Sequence, residues 1–335
     1  MNRYEKQEFF RPIGKEGQTV LQTKTAVIAG VGALGSALAH QLTRAGIGRL
    51  ILIDRDVVEK SNLQRQTLFI EKDSKDMIPK VIAAKERLNA INSSVNIETH
   101  FKQITGHNAE TLLKDADVVL DGTDNFETRY ILNDVCMKNN IPYVYGGVAG
   151  STGTVAVFLR DKTCCLRCLL GGRMSGETCD ANGVIMPAVE ITASYQTVET
   201  LKILIDKSNL ITPTVLTFDV WNRMNMETKL PLSKADCPVC IHHLYPALQK
   251  DFLEAVVLCG RKTVQLSTNR IFNLKQLETE LAMHHPVLTP FLLRVSVNGL
   301  DVAVFKDGRI HVKGTEDTKI AQEMYDEYFA RLVYE

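Results

Sequence analysis

The sequence lacks a dominant charge, a membrane-length apolar run and any internal repeat or low-complexity segment. Lysine plus arginine and aspartate plus glutamate both total 39, so we expect neither nucleic acid nor a membrane surface as a partner. No apolar run is long enough to span a bilayer, and the charged opening segment MNRYEKQEFFRPIGKEG lacks the apolar centre of a signal peptide. These absences favour a cytoplasmic protein.

What the sequence does contain sets its size class. Hydrophobic residues make up 45% of 335 residues, enough for one large core and a smaller one, so we expect one or two domains. Eight cysteines in a cytosolic chain favour metal ligands, catalytic thiols or buried apolar positions over a disulfide framework.

Strand-like and helix-like segments alternate through the first half of the chain. This alternation predicts an α/β fold with a doubly wound, mostly parallel, Rossmann-like sheet whose ligand lies beyond the carboxyl ends of the strands. GTVAVFLR is predicted to add an antiparallel strand. The other predicted strands are TAVIAG, RLILID, VNIETHF, ADVVLDGTDN and IPYVYGGV, and the predicted helices follow Gly32 or lie around KVIAAKERLNAI and RYILNDVCMKNN.

The pattern changes beyond Cys240 to that of a small α+β module. We expect a strand in EAVVLCGRKTVQLS, a helix in NLKQLETELAMHH, a hairpin in LLRVSVNGLDVAVFKDGRIHVKG that turns at Asp307 and Gly308, and a final helix. The predicted boundary is near Ala247, which divides the chain into domains 1–247 and 248–335.

The stretch VIAGVGALGSALAHQLTRAGIGRLILID combines a glycine pattern with a terminal acid. Gly30, Gly32 and Gly35 lie where a strand turns into a helix, so backbone N–H groups and the helix N-terminus can bind a phosphate. Asp54 ends the next strand, at the distance where a carboxylate meets ribose hydroxyls. A tight turn without a ligand and an NAD-dependent oxidoreductase both remain open at this point.

Cations follow Asp54 in RDVVEKSNLQRQTLF and in the Pro-Lys dipeptide that ends at Lys80. Arg65 and Lys80 suit the charge of a triphosphate and of a departing pyrophosphate, although either residue alone could be a surface cation. Asp124, which precedes Asn125 at the end of a predicted strand, can hold a Mg²⁺ that bridges phosphate oxygens, or it can cap a helix. Together these residues favour adenylyl transfer over hydride transfer.

GVGALG, LIDRDVVEKSNLQRQ, the Pro-Lys dipeptide and GTDN together resemble the MoeB/ThiF family of enzymes that use ATP to activate ubiquitin-like sulfur-carrier proteins. The resemblance covers roughly residues 3 to 245. It implies adenylation of the C-terminal Gly-Gly carboxylate of a small carrier protein, with ATP and Mg²⁺ as cofactors and pyrophosphate as a product. By position it implies ribose binding by Asp54, phosphate binding by Asn62, Arg65 and Lys80, and Mg²⁺ binding by Asp124. The implied nucleotide-binding set is Gly30, Gly32, Gly35, Asp54, Ser61, Asn62, Arg65, Lys80, Asp124 and Asn125.

The resemblance also implies a homodimer in which a basic residue near the amino terminus reaches the partner's ATP. Lys6 stands where the family usually has that arginine, and Arg3 is an alternative. Lysine is a point charge without the planar fork of arginine, so the exchange changes how phosphate is recognised. Met77 likewise replaces a family glycine two residues before the Pro-Lys dipeptide.

Two CxxC pairs predict a structural zinc site. Cys165 with Cys168, and Cys237 with Cys240, have the spacing that lets two thiolates bind one Zn²⁺, and two such pairs complete a tetrahedron. Four thiolates leave no position for water, so the zinc is expected to be structural. Redox-active or merely buried cysteines are the alternative.

Three further cysteines receive different predictions. Cys136 lies on an apolar helical face and is expected in the core. Cys179, in the glycine-rich segment GGRMSGETCDANGVIMP, is expected in an exposed loop. It matches the family's loop cysteine, which in relatives attacks the adenylate or takes part in sulfur transfer; an incidental thiol is the alternative. Cys259 lacks the glycine-and-arginine surroundings of a rhodanese loop, so we interpret it as structural and the terminal module as accessory.

The sequence therefore predicts an adenylyltransferase with ATP, Mg²⁺ and a structural Zn²⁺. The favoured carrier, by a small margin, is the molybdopterin-synthase small subunit, the thiazole-synthesis carrier is the alternative, and a sulfur donor such as a cysteine desulfurase is a further partner. A nicotinamide oxidoreductase and a non-catalytic zinc-stabilised scaffold are the alternatives from other classes. The predicted catalytic residues are Lys6, Arg65, Lys80, Asp124 and Cys179.

Overall fold

The computed structural model describes residues 2–171, 183–249, 255–258, 262–268 and 270–330. The chain forms two compact units, Met1–Lys250 and Asp251–Glu335. The boundary expected near Ala247 falls within the last few residues of the first unit. Across the described ranges, no helix has the length and apolar character needed to cross a membrane.

The first unit is an α/β structure. Its described helices are α1 (Glu5–Phe9), α2 (Gly14–Leu21), α3 (Ala33–Ala45), α4 (Glu71–Lys75), α5 (Lys80–Ile91), α6 (Ala109–Leu113), α7 (Phe126–Asn139), α8 (Leu166–Leu170) and α9 (Met186–Leu204). Its strands are β1 (Thr25–Ala29), β2 (Arg49–Asp54), β3 (Asn96–Phe101), β4 (Val118–Asp121), β5 (Tyr143–Ala149), β6 (Thr152–Phe158), β7 (Thr214–Asp219) and β8 (Met224–Lys229).

These eight strands form one sheet in the order β3-β2-β1-β4-β5-β6-β7-β8. Neighbouring strands run parallel from β3 to β5 and antiparallel from β5 to β8. The predicted doubly wound fold is confirmed, as is the antiparallel β6. The strand order reverses at β1, so a crevice is expected beyond the carboxyl ends of β1 and β4, where α/β proteins bind ligands.

Apolar side chains cover both faces of this sheet. Ala26 and Ile28 of β1 pack in a core cluster that includes residues of α3, α5 and α9. Val27 and Ala29 point to the opposite face, where they pack with residues of α6 and α7. Because β1 is buried on both faces, its sequence is continuously apolar, as is usual for a central parallel strand.

Helix α9 buries polar side chains as well as apolar ones, and the sequence did not predict it. Thr192, Gln196 and Thr200, one helical turn apart, are buried, whereas Ile191 and Tyr195 are exposed. The hydroxyls of Thr192 and Thr200 donate to backbone oxygens one turn earlier, so their burial leaves no unpaired donor. Polar residues on the buried side remove the apolar periodicity by which a helix is recognised.

The second unit contains a six-stranded antiparallel sheet in the order β11-β12-β13-β14-β10-β9. Its described elements are β9 (Ala255–Leu258), β10 (Thr263–Ser267), α10 (Leu274–Glu280), β11 (Val287–Leu288), β12 (Leu292–Val297), β13 (Leu300–Phe305), β14 (Arg309–Lys313) and α11 (Thr318–Tyr328). The turn at Gly308 is present and joins β13 to β14, but the stretch expected to form one hairpin contains three strands, because β12 pairs with β13 as well. The single strand expected in EAVVLCGRKTVQLS is instead two strands, β9 and β10, which pair with each other.

Candidate nucleotide site and metal centre

The glycine turn between β1 and α3 uses its three glycines in two ways. Gly30 has φ +84°, and a Cβ there would lie 2.8 Å from the carbonyl oxygen of Gly122. A Cβ on Gly35 would overlap the carbonyl oxygen of Gly30. Beside Gly32, in contrast, a Cβ would meet only Nε2 of Gln66, at 3.8 Å. Gly30 and Gly35 are therefore required by packing, whereas the flank of Gly32 leaves room for a ligand.

The N-terminus of α3 is suited to an anion. Gly32 is the N-cap residue and provides no side-chain cap. The first N–H groups of a helix have no partner within the helix, and their partial positive charge favours a phosphate. The turn therefore supplies the backbone donors that the glycine pattern predicts.

Asp54 links the end of β2 to this turn. One carboxylate oxygen accepts the N–H of Val31 at 2.6 Å, and the other accepts the N–H of Asp56 at 2.7 Å. Burial raises the pKa of Asp54 above its ordinary value, and the positive charge of Lys80 acts in the opposite direction. A carboxylate has about four acceptor positions, so two bonds leave capacity for ribose hydroxyls.

Lys80 is a buried cation at the start of α5, with 3% of its surface exposed. Its Nζ lies 3.1 Å from Oδ2 of Asp56, and its backbone N–H donates to the Asp56 carbonyl at 3.0 Å. The surface-cation alternative is therefore wrong for Lys80. The sequence alone does not indicate a role for Asp56, since its only distinguishing feature there is its position two residues after Asp54.

The segment around Asn62 approaches the glycine turn through Gln66. Oδ1 of Asn62 accepts the N–H of Glu59 at 3.0 Å, so this side chain shapes the short 3-10 turn at 60–62. Arg65 is half-buried and donates from Nη1 to the Ser61 carbonyl at 3.0 Å. The phosphate roles of Ser61, Asn62 and Arg65 remain predictions.

The loop after β4 lies against the glycine turn, because a Cβ on Gly122 would collide with the carbonyl oxygen of Gly30. Asp124 in this loop is exposed. Asn125 accepts the N–H of Thr128 at 2.9 Å and so caps α7. The capping role considered for Asp124 therefore belongs to Asn125, whose Nδ2 donates to Oδ1 of Asp124 at 3.4 Å.

A buried polar network holds this loop in place. Asp121 is fully buried and accepts hydrogen bonds from the N–H of Thr123 at 2.9 Å and the hydroxyl of Tyr143 at 2.7 Å. Nε of Arg129 lies 3.2 Å from the same carboxylate. Burial, together with Asp121, raises the pKa of Tyr143 well above its usual range. The sequence indicated neither Asp121 nor Arg129, because their pairing depends on the assembled sheet.

Lys6 lies far from the glycine turn of its own chain. Its neighbour Gln7 donates to the carbonyl of Ala45, the last residue of α3, at 2.9 Å. The glycine turn is at the other end of α3, about 20 Å away for 13 residues. Arg3, the alternative, donates to the carbonyl that ends α5. A lysine side chain cannot span that distance, so Lys6 does not reach the glycine turn of its own chain.

Met77, which stands at the position of a family glycine, has φ +50°. The left-handed backbone conformation is therefore kept although the residue has a side chain. That conformation costs an L-residue roughly 1–2 kcal/mol. The N–H of the following residue, Ile78, donates to the Asp73 carbonyl at 2.9 Å, which directs the chain toward Lys80.

The four predicted zinc ligands meet in space, with all their sulfur atoms within 4.8 Å of one another. A tetrahedral ion with bonds of 2.3 Å requires sulfur separations of about 3.8 Å. The observed separations are 3.9 Å for Cys165 and Cys168, 3.7 Å for Cys165 and Cys237, and 3.9 Å for Cys168 and Cys240. These distances are far longer than a disulfide bond, and they fit a tetrahedral Zn²⁺ site.

Side chains of helix α7 make hydrogen bonds to the segments that carry the four cysteines. Arg167, inside the first CxxC pair, makes two hydrogen bonds to Asp134, at 2.8 and 2.9 Å. Asp134 also accepts the N–H of Ala247 at 2.8 Å, and Asn133 accepts the N–H of Leu166 at 2.8 Å. One turn of α7 therefore orients the first CxxC pair and the chain beyond the second.

The remaining cysteines divide into buried and undescribed residues. Cys136 is buried, and its burial raises the pKa of the thiol far above the usual value, which fits the predicted core role. Cys164 is also buried, and burial raises its pKa to about 12. Cys179 and Cys259 lie outside the described residues, so their predicted roles stay predictions.

Comparison with known proteins provides evidence that is independent of the site geometry. A model of the ThiF family matches residues 4–239. The sulfur carrier protein ThiS adenylyltransferase of Bacillus subtilis is 39% identical over 333 residues, covering 97% of this chain and 98% of the relative. The sulfur carrier protein adenylyltransferase of Thermus thermophilus is 31% identical over 270 residues, covering 78% and 97%. The adenylyltransferase and sulfurtransferase MOCS3 of Culex quinquefasciatus is 34% identical over 251 residues, covering 74% and 56%.

Solved structures show the same fold. Escherichia coli MccB crystallised with ATP superposes with a TM-score of 0.59 at 24% identity, covering 72% of this chain and 74% of MccB. The family model spans most of the chain, and the Bacillus relative matches nearly all of it, which confirms the predicted resemblance. The chain therefore belongs to the ThiF family and is an adenylyltransferase.

Proposed function

We propose that this enzyme transfers the adenylyl group of ATP to the C-terminal Gly-Gly carboxylate of a ubiquitin-like sulfur-carrier protein. The observation that carries the proposal is the convergence of the glycine turn, Asp54 and Lys80 at the carboxyl ends of β1 and β2. The names of the similar proteins from Bacillus and Thermus support the choice of a sulfur carrier.

The chemistry needs positioning and charge more than proton transfer. A carboxylate oxygen of the carrier attacks the α-phosphorus; the new bond joins that oxygen to phosphorus, and the bond to the β-phosphate oxygen breaks to release pyrophosphate. The nucleophile arrives ionised, so no general base is required. Lys80, Arg65 and the N-terminus of α3 offset the negative charge that develops on the phosphates.

Asp124 fits the role of a Mg²⁺ ligand. Its carboxylate is exposed beside the glycine turn, and carboxylate oxygen is a donor that Mg²⁺ prefers. Mg²⁺ is commonly held by one or two carboxylates together with substrate phosphates, so a single acid is sufficient. When bound, the ion neutralises phosphate charge.

The thiazole-synthesis carrier is our proposed substrate. The sequence slightly favoured the molybdopterin-synthase subunit, and relatives named MOCS3 are among the similar proteins. The likeness to the Bacillus ThiS adenylyltransferase, however, extends over 97% of this chain, against 74% for the Culex protein. Whole-length likeness includes the second unit, so it is the stronger guide to the carrier.

ATP–pyrophosphate exchange tests this proposal. Purified enzyme is assayed with each carrier in turn, and a carrier that lacks its last glycine serves as the control. We expect exchange with the intact thiazole carrier and none with the shortened one. Exchange with the molybdopterin carrier alone would reassign the substrate, and no exchange with either carrier would overturn the proposal.

We also propose that the enzyme acts as a homodimer. Helix α9 exposes an apolar row consisting of Ile191, Tyr195 and Val198, each 40–49% exposed. Burying such a row against a second copy would gain hydrophobic free energy. The distance of Lys6 from its own glycine turn supports the same arrangement, since a basic residue at that end can act only across an interface.

Cys179 is proposed, on its sequence context alone, to act after adenylation. Its thiolate would attack the acyl carbon of the adenylate and release AMP, before sulfur arrives from a donor such as a cysteine desulfurase. We expect Cys179→Ala to retain pyrophosphate exchange and to lose thiocarboxylate formation. Mass spectrometry after incubation with ATP, carrier and sulfur donor checks this. Full thiocarboxylate formation by Cys179→Ala, together with the absence of an adduct on Cys179 of the wild type, would refute it.

The four-cysteine cluster is proposed to hold one structural Zn²⁺. Its sulfur separations fit the ion, and four sulfur ligands leave no open coordination position for a substrate or for water. The metal would therefore stabilise the fold without taking part in adenylation.

A further inference from the structure

Helix α1, which carries Lys6, is too short to keep its position by itself. None of its five residues, Glu5–Phe9, is buried, and the side chain of its N-cap residue Tyr4 makes no capping hydrogen bond. Isolated helices of fewer than about 12 residues are marginal in water, so contacts with the rest of the chain must fix α1. Lys6 itself is exposed, so we looked for these contacts at its neighbours.

Gln7 connects α1 to the C-terminal end of α3. Its Nε2 donates to the carbonyl oxygen of Ala45, the last residue of α3, at 2.9 Å, and to Oε1 of Gln18 at 2.6 Å. Gln18 is 2% exposed, and its own Nε2 donates to the same Ala45 carbonyl at 3.0 Å. Gln7 directly follows Lys6, so these bonds fix the backbone from which the Lys6 side chain extends.

Tyr4 connects α1 to the same end of α3 and to the end of α5. Its ring lies against Gly46, the C-cap residue of α3, where a Cβ would overlap the ring. Its hydroxyl accepts a hydrogen bond from Nδ2 of Asn92, the C-cap residue of α5, at 2.9 Å. The same Nδ2 donates to the Thr43 carbonyl at 2.9 Å, so the buried Asn92 amide joins Tyr4 to both helices.

The two helices that fix α1 are the ones that begin at the candidate nucleotide site. Helix α3 starts after Gly32 of the glycine turn, and α5 starts at Lys80. The contacts of Tyr4 and Gln7 lie at the far ends of these helices, about 20 Å from the turn in the case of α3. They therefore place α1 at a defined distance from its own nucleotide site without forming part of that site.

We propose that Tyr4 and Gln7 are positioning residues for adenylation, which hold Lys6 where it reaches the nucleotide of the partner subunit. This inference rests on the proposed function and on the proposed homodimer. Neither residue touches the reacting atoms, and both act through Lys6. A displacement of about 1 Å can cost roughly 10²-fold in rate, so the loss of one such contact has a measurable effect.

ATP–pyrophosphate exchange by the full-length enzyme with its carrier tests Gln7 first. Gln7→Ala removes the donor, and Gln7→Glu keeps the shape but places a carboxylate beside two acceptors, so each should slow exchange by roughly 10- to 100-fold. Adding Gln7→Ala to Lys6→Ala should cause no further loss, because no lysine is left to position. Gln22→Ala, at an exposed glutamine after α2, is the matched control and should exchange like the wild type. Wild-type exchange by both Gln7 variants, or a further loss in the double variant, would overturn the inference.

Mixing of chains separates the positioning of Lys6 from a structural role of Gln7 in its own chain. Gln7→Ala mixed with Asp124→Ala should regain activity in verified heterodimers, because one site then combines an intact Asp124 with a correctly held Lys6. Gln7→Ala mixed with Lys6→Ala should not regain activity, because neither site receives a correctly held Lys6. The opposite pattern would show that Gln7 supports the nucleotide site of its own chain, and it would overturn the inference.

The same assays distinguish failure of this inference from failure of the proposed function. If the wild type and Gln22→Ala catalyse no exchange, the proposed function fails, and this inference fails with it. If the wild type is active and Lys6→Ala is equally active, adenylation stands and only the positioning role is refuted.

Discussion

At the scale of single residues, the two cations assigned to phosphate are held in different ways. Lys80 is buried and paired with Asp56, whereas Arg65 is half-buried and bonded only to a backbone carbonyl among the contacts described for it. We expect Lys80→Ala and Arg65→Ala each to slow adenylation by roughly 10²-fold, the usual effect of losing one charge-stabilising donor. Only Lys80→Ala should also lower the melting temperature, since it removes the buried and closer of the two cations beside Asp56, Arg55 being the other at 3.9 Å.

Pyrophosphate exchange and thermal unfolding, measured on the same preparations, separate these two effects. Wild-type exchange in either variant would return that residue to a surface role. Equal losses of stability in both variants would contradict the difference in burial.

Asp124 and Asn125 are neighbours with separable roles. Because Asp124 is exposed and is not the helix cap, Asp124→Ala should abolish exchange and leave the melting temperature and zinc content unchanged. Asn125→Ala is the matched control: loss of the cap on α7 should reduce the free energy of unfolding by about 1 kcal/mol. If Asp124→Ala catalyses ATP–pyrophosphate exchange at the wild-type rate, Asp124 is not the Mg²⁺ ligand.

Met77 offers a test of backbone strain near the active site. Its φ of +50° is unfavourable for a residue with a side chain, so Met77→Gly should raise the free energy of unfolding by up to about 1 kcal/mol. Denaturant midpoints measure the change. Glu86→Gly, at an exposed position inside α5, is the control and should cost about 1 kcal/mol. A loss of stability in Met77→Gly would show that the side chain contributes more by packing than the backbone loses.

At the scale of elements, the sequence predicted those parts whose signal is local. Strands β1 and β2 are apolar runs that end at Gly30 and Asp54, and α5 and α7 follow recognisable helix starts. Helix α9 was missed because it buries polar residues such as Gln196 beside its buried apolar residues and exposes Ile191 and Tyr195, so its apolar residues do not mark one face. Strands β7 and β8 were missed too, and every residue of β8 is exposed, which removes the alternation that marks a half-buried strand.

The candidate site likewise contains residues that the sequence alone indicates and residues that it does not. Gly32, Asp54 and Lys80 belong to motifs with fixed spacing, so their sequence positions were sufficient to predict them. Asp56 lies inside the same motifs, but its importance depends on the ion pair that it makes with Lys80 across the fold. Pairing of that kind leaves no periodic signal in one sequence.

The cysteine cluster connects elements that are distant in the chain, so its loss should be felt as a loss of stability. We expect one Zn²⁺ per chain, and Cys237→Ser should lower zinc content and melting temperature more than it changes the intrinsic rate of adenylation. Cys164→Ala is the control, because Cys164 is buried but is not a member of the cluster. Metal analysis and thermal unfolding provide the measurements; zinc-free protein purified without chelator would contradict the prediction.

At the scale of the whole molecule, the position of Lys6 predicts that an active site combines two chains. A Lys6→Ala chain mixed with an Asp124→Ala chain should form heterodimers in which one site has both residues intact, so activity should partly recover. The two variants are assayed separately and after mixing, with heterodimers verified by differently tagged chains. Absence of recovery in verified heterodimers would argue against action across the interface. Lys6→Arg should be neutral or faster, because guanidinium offers more donors to phosphate.

The spacing of the cysteine pairs also has a consequence for the nascent chain. Cys165 and Cys168 leave the ribosome well before Cys240, and at about 5–20 residues per second the delay is roughly 4 to 14 s. During that interval the thiols of Cys165 and Cys168 lack the other two cysteines of the cluster, although the strands up to β6 have already been synthesised. Completion of the cluster therefore belongs to the last part of translation of the first unit, and a shortage of zinc in the cell would be felt by newly made chains before it affected finished ones.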